Sequence, residues 1–391
     1  MKHVIIGSGV AGMTAALDLA KRGAGEIDLY TDEVHSYYYR PQVTNFLAGV
    51  MSLEKVLMHP LSWYEDKGVH VHLQSPVARL ESGQKQIVLA DGTGVAYDRL
   101  LLAAGSRPFV PPIAGVEKQG VFTIRTLKDA LAIQEYAAGC KKALVVGGGL
   151  LGLEAARGLQ GLGLEVVIVE FFPQLMAAQL DEQGAAILKE FAESQGYRVV
   201  LGTSAQEILG EEKVTGVLLK DGQTFDAQMV VVATGVRSNI ALAQEAGLQV
   251  DRGVIVDGYM RTSAPDIYAA GDVASFEGRI WAIVPIAQAQ ARVAAANMAG
   301  ESLIYEEVPP STTLKVVGIE VSSFGEAKPK DGEFEEFRRS DPANRVYKKI
   351  VLRDGKIVGA IVISDKALAK TLESLIEQKA PMTREEAQSR L

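Results

Sequence analysis

A chain of 391 residues is too long for one typical domain, and 48% hydrophobic residues supply enough apolar side chain for two or three buried cores. A formal charge of -8 with no long basic stripe argues against nucleic acid as the main partner, and no apolar run reaches the length of a membrane span. The single cysteine, Cys140, excludes an internal disulfide, a CxxC redox pair and a cysteine-based zinc site.

The N-terminus enters strand residues without the zones of a signal peptide, so the cytoplasm is the expected location. Residues 3–6 read as a strand, Gly7, Gly9 and Gly12 as a tight turn, residues 13–22 as a helix, and residues 27–30 as a second strand followed by Asp32 and Glu33. In such a unit the first glycine permits the turn, the second lets backbone approach a pyrophosphate, and the third lets the helix pack on the strand. The phosphates then meet the positive end of the helix. Tyr37, Tyr38, Tyr39, Arg40 and Pro41 follow, an aromatic cluster with a cation that suits a flat ring and a pyrophosphate. Short strands are expected at 69–73, 78–81 and 86–89, with Asp91 and Gly92 as a hairpin-type turn. His70 and His72 share a strand face without a carboxylate at ligand spacing, so they read as structural and no metal is expected.

An apolar strand at 100–104, ending on Ala104 and Gly105, runs into Ser106, Arg107, Pro108, Pro111 and Pro112, which reads as a domain crossing. The same device recurs at 230–233 with Thr234, Gly235 and Arg237. Between the crossings lies a complete second unit at 143–170: strand, Gly147, Gly149 and Gly152, helix, and a strand ending on Glu170. A helix at 181–195 and a hairpin at 214–225 complete it, and Cys140 reads as a packed bystander. Beyond the return crossing, a strand at 267–270 ends on Gly271 and Asp272, where doubly wound sheets place their ligands, and a helix runs over 286–298. From about residue 310 the pattern changes to strands at 315–319, 345–352 and 357–363, a turn at Asp354 and Gly355, and a helix at 367–378.

The expected fold is therefore α/β, with two Rossmann-like dinucleotide-binding domains and a small α+β C-terminal domain. Residues 1–107 and 236–310 would form the first domain, 108–235 the inserted second, and 311–391 the third. Two dinucleotide sites in one chain make most sense if electrons pass between their ligands, a flavin and a nicotinamide. Glu170 would accept hydrogen bonds from a ribose but repel a 2'-phosphate, and Phe171, Phe172 and Pro173 supply no compensating cation, so NADH is expected over NADPH.

The succession GSGVAG, YYYRP, LLLAAGSRP, VVGGGLLGLE, VVVATGVRSN and YAAGDVA resembles the FAD-dependent pyridine nucleotide oxidoreductases of the glutathione reductase superfamily. YYYRP, EFFPQLMAAQLDE and the ending that starts TLKVVGI are most similar to NADH:rubredoxin oxidoreductases and to the flavin part of nitrite reductases. The resemblance implies that Gly7, Gly9 and Gly12 hold the FAD pyrophosphate, Asp32 or Glu33 the adenosine ribose, and Asp272 the ribityl chain. Arg40 and Arg107 add FAD contacts, and Pro41, Ala104, Gly105, Gly235 and Gly271 complete the cofactor-binding set. Gly147, Gly149, Gly152 and Glu170 would hold NADH. Glu154 matches a glutamate beside the nicotinamide and flavin, and is the one candidate catalytic residue.

The chain departs from related groups as well. It lacks the CxxxxC pair of the disulfide reductases, and Asn45 stands where oxygenase-type ferredoxin reductases carry a lysine that pairs with the helix glutamate. Ala178 replaces an arginine of the rubredoxin reductase pattern. The expected acceptor is a small redox carrier of the rubredoxin or ferredoxin type, steered by Arg338, Arg339, Arg345, Lys348, Lys349, Arg353 and Lys356. The alternatives are an NADH oxidase using oxygen and a redox-sensing flavoprotein resembling apoptosis-inducing factor.

Overall fold

A computed structural model of the chain describes residues 1–316, 318–329 and 332–391. The chain divides into two compact units, one of Met1–Gln42, Ser52–Arg107 and Val236–Val308, the other of Val43–Met51, Pro108–Gly235 and Pro309–Leu391.

In the first unit, Lys2–Ile6 is the central strand of a parallel five-stranded sheet ordered Ile267–Ala269, Arg99–Leu102, Lys2–Ile6, Glu26–Tyr30, Val69–His72. Val4, Ile5, Leu29, Leu100 and Leu101 are fully buried, the near-continuous apolar run that a sheet covered on both faces requires. Helices Val10–Lys21 and Val284–Met298 pack together, and both bury small side chains, among them Ala11, Ala15 and Ala16 in the first and Ala287, Ala291 and Ala294 in the second. A three-stranded antiparallel sheet, Val77–Glu81, Gln86–Leu89 and Gly94–Ala96, completes this unit's larger elements.

The second unit repeats the design. Its parallel sheet is ordered Arg198–Leu201, Glu165–Glu170, Lys142–Val146, Met229–Val232, Val121–Thr123. Gly147 N donates to Val169 O at 2.8 Å as Gly7 N does to Tyr30 O, and Ala233 N donates to Val146 O as Ala103 N does to Ile6 O, again at 2.8 Å. The expected hairpin at 214–225 is part of a three-stranded sheet, Ala205–Leu209, Gly216–Leu219 and Thr224–Asp226.

The C-terminal segment of this unit is a five-stranded antiparallel sheet ordered Ser311–Val316, Ile319–Gly325, Lys356–Ile363, Val346–Arg353, Glu335–Asp341. The single strand expected at 315–319 is instead parts of two, because Gly318, at φ +108°, turns the chain; Val317 of that span lies outside the described residues. Helix Lys366–Glu377 buries Ala369, Leu372 and Ile376, one helical face, and its N-cap Asp365 accepts from Leu368 N. A further helix, Arg384–Arg390, opens with a capping box of Thr383 and Glu386. No described helix is long and apolar enough to cross a membrane.

Candidate functional site

The first glycine turn is built by crowding on one side and openness on the other. A Cβ on Gly7 would lie 2.3 Å from Ala103 O, and one on Gly12 only 1.9 Å from Gly7 O, so both positions exclude a side chain. Gly9 is different. Its Cβ would meet only Arg40 Nε, at 3.8 Å, and as N-cap of Val10–Lys21 it provides no side-chain cap. The first-turn N–H groups of that helix therefore face a gap beside a guanidinium, the electrostatics a pyrophosphate needs. Arg40 Nη2 donates to Glu33 Oε1 at 2.8 Å, and Tyr38 OH donates to the same oxygen at 2.8 Å. Pro41 lies in the short 3-10 turn Arg40–Gln42 that carries the arginine.

Matching the two units by their backbone hydrogen bonds puts Thr31, not Asp32 or Glu33, in the place of Glu170, since Tyr30 corresponds to Val169. Thr31 Oγ1 accepts from Ser8 Oγ at 3.0 Å, while Asp32, the next residue, is exposed. The acids after the first strand pair thus stand one and two residues beyond the fingerprint position.

Elsewhere in the first unit, Asn239 ties the chain's return to its exit: Asn239 Nδ2 donates to Ala104 O at 2.8 Å and Asn239 N to Gly105 O at 3.0 Å. Asp272 Oδ2 accepts from Ser106 Oγ at 2.8 Å, and Asp272 O accepts from Ser238 Oγ at 2.5 Å. Gly271, at φ +81°, donates its N–H to Oε1 of buried Gln290 at 2.9 Å, which fixes the turn presenting Asp272. Arg107 is exposed, with Nη1 3.4 Å from Asn239 Oδ1. Gln290 escaped the sequence reading, and Ser106, Ser238 and Asn239 entered it only within the two crossing motifs with no site role, because isolated polar residues carry no periodic signal.

In the second turn, a Cβ on Gly147 would lie 2.4 Å from Ala233 O and one on Gly152 1.9 Å from Gly147 O, whereas one on Gly149 would meet nothing within 4 Å. Gly149 caps helix Leu150–Gly161 without a side chain, so this helix too presents open N–H groups. Glu170, 8% exposed, accepts from Gly148 N at 2.5 Å through Oε2 and from Phe172 N at 2.8 Å through Oε1. Each carboxylate oxygen has two lone pairs, so these bonds leave capacity for a ribose hydroxyl. Gly235 O accepts from Phe109 N at 2.9 Å, and Thr234 Oγ1 donates to Phe109 O at 2.7 Å, which ties this unit's exit to its entry.

Glu154 lies on the second turn's helix, 8% exposed. Its Oε2 accepts from Thr44 Oγ1 at 2.5 Å, and Arg157 Nη2, one helical turn on, lies 4.0 Å from the same oxygen. Arg157 Nη2 also donates to Asn45 Oδ1. The positive charge that a lysine at position 45 would bring is thus supplied by the glutamate's own helix, with Asn45 holding it. Burial pushes the Glu154 carboxyl up, against the opposing effects of the Thr44 bond and Arg157.

The basic span of the C-terminal segment is corrected at one residue, Lys349, which is buried. In strand Val346–Arg353 the side chains alternate, so Tyr347 and Lys349 point inward together. Lys349 is 2% exposed and pairs with Glu336 at 2.9 Å and Asp181 at 3.4 Å, while Tyr347 OH donates to Asp181 at 2.7 Å. Lys348 pairs with Asp365 at 2.8 Å, Arg338 with Glu336 and Arg353 with Glu326, while Arg345 lies 4.7 Å over the Phe191 ring. Lys349 is thus withdrawn from the surface and Lys348, Arg338 and Arg353 are paired with acids, while Arg339 and Lys356 stay exposed. Cys140 Sγ, half-buried, lies 3.4 Å from Tyr136 O, and burial raises its thiol. Among the described residues no group of three or more histidine, cysteine, aspartate or glutamate side chains is placed to hold a metal ion.

Both glycine turns therefore fit a dinucleotide: each excludes side chains behind the turn and leaves room in front of an uncapped helix. Residues 1–295 match the family model of the pyridine nucleotide-disulphide oxidoreductases, and residues 310–380 that of the rubredoxin NAD+ reductase C-terminal domain. The chain is 36% identical to the NAD(P)H nitrite reductase of Bacillus subtilis over 97% of its own length, but covers 48% of that protein. It thus spans about half the length of this curated relative. It is 34% identical to an NADH oxidase of Methanocaldococcus jannaschii, covering 96% of this chain and 90% of that protein. With the NADH-rubredoxin oxidoreductase of Clostridium acetobutylicum it shares 29% identity over 96% of this chain and 94% of the relative. A ferredoxin reductase from Rhodopseudomonas palustris has the same fold, with a TM-score of 0.91 at 29% identity over 99% of this chain and 96% of that one.

Proposed function

The chain belongs to the pyridine nucleotide-disulphide oxidoreductase family, with FAD and NADH as its nucleotides, and we propose that it passes electrons from NADH to a small one-electron carrier of the rubredoxin type. The observation that carries this reading is the pair of matched glycine turns, each open in front of an uncapped helix. When bound, the two nucleotides supply hydride transfer from a nicotinamide to a flavin.

In this reading residues 1–107 and 236–310 form the FAD domain, 108–235 the NAD domain and 311–391 an interface domain. Gly7, Gly9 and Gly12 take the FAD pyrophosphate together with Arg40, whose turn Pro41 stiffens. Asp32 or Glu33 takes the adenosine ribose, and Asp272, backed by Ser106 and Gly271, takes the ribityl hydroxyls. Ala104, Gly105 and Arg107 line the same ligand. Gly147, Gly149 and Gly152 bind the pyrophosphate of NADH, Gly235 borders it, and Glu170 accepts from its ribose and repels the 2'-phosphate of NADPH. Glu154, on the first turns of the same helix, offers its carboxylate to the nicotinamide half.

Support for a rubredoxin-type acceptor comes from the C-terminal match and from the Clostridium acetobutylicum relative, which this chain covers almost end to end. A second reading, oxygen as acceptor, is favoured by the similarly complete match to the Methanocaldococcus jannaschii NADH oxidase. Reoxidation of the NADH-reduced yellow protein by rubredoxin under argon, compared with reoxidation by air alone, decides between them.

A further inference from the structure

Directly beyond Glu170 stand two of the most exposed large apolar side chains of the protein, Phe171 at 65% and Phe172 at 53%. Water-facing phenylalanines side by side are costly unless something covers them. Their rings meet edge to face, with centroids 5.4 Å apart and planes at 76°. The backbone that carries them is fixed: Phe172 N donates to Glu170 Oε1 at 2.8 Å, and Phe172 O accepts from Gly202 N at 3.1 Å. The other oxygen of Glu170 holds Gly148 N, so one carboxylate locks the aromatic turn to the glycine turn.

This inference rests on residues 147–170 holding NADH. A dinucleotide whose pyrophosphate lies at Gly149 and whose ribose reaches Glu170 has its adenine beyond the end of strand Glu165–Glu170, where Phe171 and Phe172 are. We infer that Phe171 and Phe172 form the adenine platform of the NADH site, the more exposed Phe171 ring stacking on the base and Phe172 bracing it edge-on. The occupant is a flat, apolar-faced heterocycle attached to a ribose, which matches an aromatic face next to a ribose-accepting acid. The platform also explains a turn with no cation: an arginine here would favour a 2'-phosphate, whereas a phenyl ring gains only from the base.

The test is calorimetric binding of NAD+ and of ADP-ribose, which retains the adenosine end without the nicotinamide, to the FAD-loaded protein. Phe171→Ala is expected to weaken both ligands by at least about fivefold, the scale of losing one base–aromatic stack. Phe172→Ala should weaken them less, and Phe171→Trp should restore wild-type binding. The thermal midpoint should stay unchanged in all three variants, since both rings are exposed. Unchanged ADP-ribose affinity in Phe171→Ala, or a Trp variant as weak as the Ala variant, overturns the platform while leaving the NADH site intact. Wild-type protein that binds neither ligand overturns the NADH site itself, and the platform with it.

Discussion

Thr44 Oγ1 donates to Glu154 Oε2 at 2.5 Å, and so joins the short helix Val43–Leu47 to the helix of the second glycine turn. The contact gives a buried carboxylate a hydroxyl donor at the same oxygen that Arg157 Nη2 approaches to 4.0 Å.

A pH dependence of stability follows. Burial is the largest influence on Glu154 and raises its carboxyl, with the Thr44 bond and Arg157 opposing. The folded protein thus holds this proton more tightly than the unfolded chain, whose carboxyl titrates near about 4.3. The cost of the buried charge is absent below that value, grows as pH rises through the raised folded value, and is complete above it. Glu154→Gln abolishes the titration, so its stability relative to wild type should rise between about pH 4 and pH 8 in urea unfolding. Parallel curves across that range would contradict the assignment.

Arg157→Ala should cost about 1–3 kcal/mol, because it leaves a buried carboxylate with less compensation and Asn45 without this donor. Arg157→Lys should recover part of the loss. Denaturant midpoints of the two variants check this, and equal losses would mean that packing, not charge, matters at this position.

Lys349 is the buried centre of an ion-pair group with Asp181 and Glu336. Lys349→Ala should destabilise by about 3–5 kcal/mol, as removal of one member of a buried pair does. Lys356→Ala, at an exposed position of the neighbouring strand, should stay within about 0.5 kcal/mol. If both variants unfold at the wild-type midpoint, the inward placement of Lys349 is wrong.

Gly149→Ala separates folding from ligand binding. The added methyl meets no protein atom within 4 Å, and the backbone there, at φ -79°, suits alanine. Stability should therefore hold within about 0.5 kcal/mol while NADH affinity falls tenfold or more, roughly 1.4 kcal/mol, from intrusion on the pyrophosphate. Gly152→Ala, 1.9 Å from Gly7's counterpart Gly147 at its carbonyl oxygen, should damage both. Calorimetry and thermal melts on the same samples provide the comparison.

The glycine turns were legible because each demands a fixed order of strand, turn, helix and strand with side chains excluded at set positions. Gly7, Gly12, Gly147 and Gly152 meet backbone carbonyls where a Cβ would sit, and that requirement is local in sequence. The surroundings of Glu154 are not local. Asn45 read as a missing charge, because nothing in the sequence says that Arg157, on the glutamate's own helix, turns towards it. The burial of Lys349 was illegible for a related reason: a count of cations ignores the alternation that buries it beside Tyr347. Strand Glu335–Asp341 went unread because, as an edge strand, it is mostly charged and lacks an apolar stripe.

The most direct measurement is an anaerobic titration of the yellow FAD-loaded protein with NADH and, separately, NADPH, followed by addition of rubredoxin. The account predicts bleaching by about one equivalent of NADH, much weaker response to NADPH, and rapid return of colour with rubredoxin as the carrier is reduced. Equal bleaching by both nucleotides, or a reduced protein that rubredoxin leaves reduced, would contradict it.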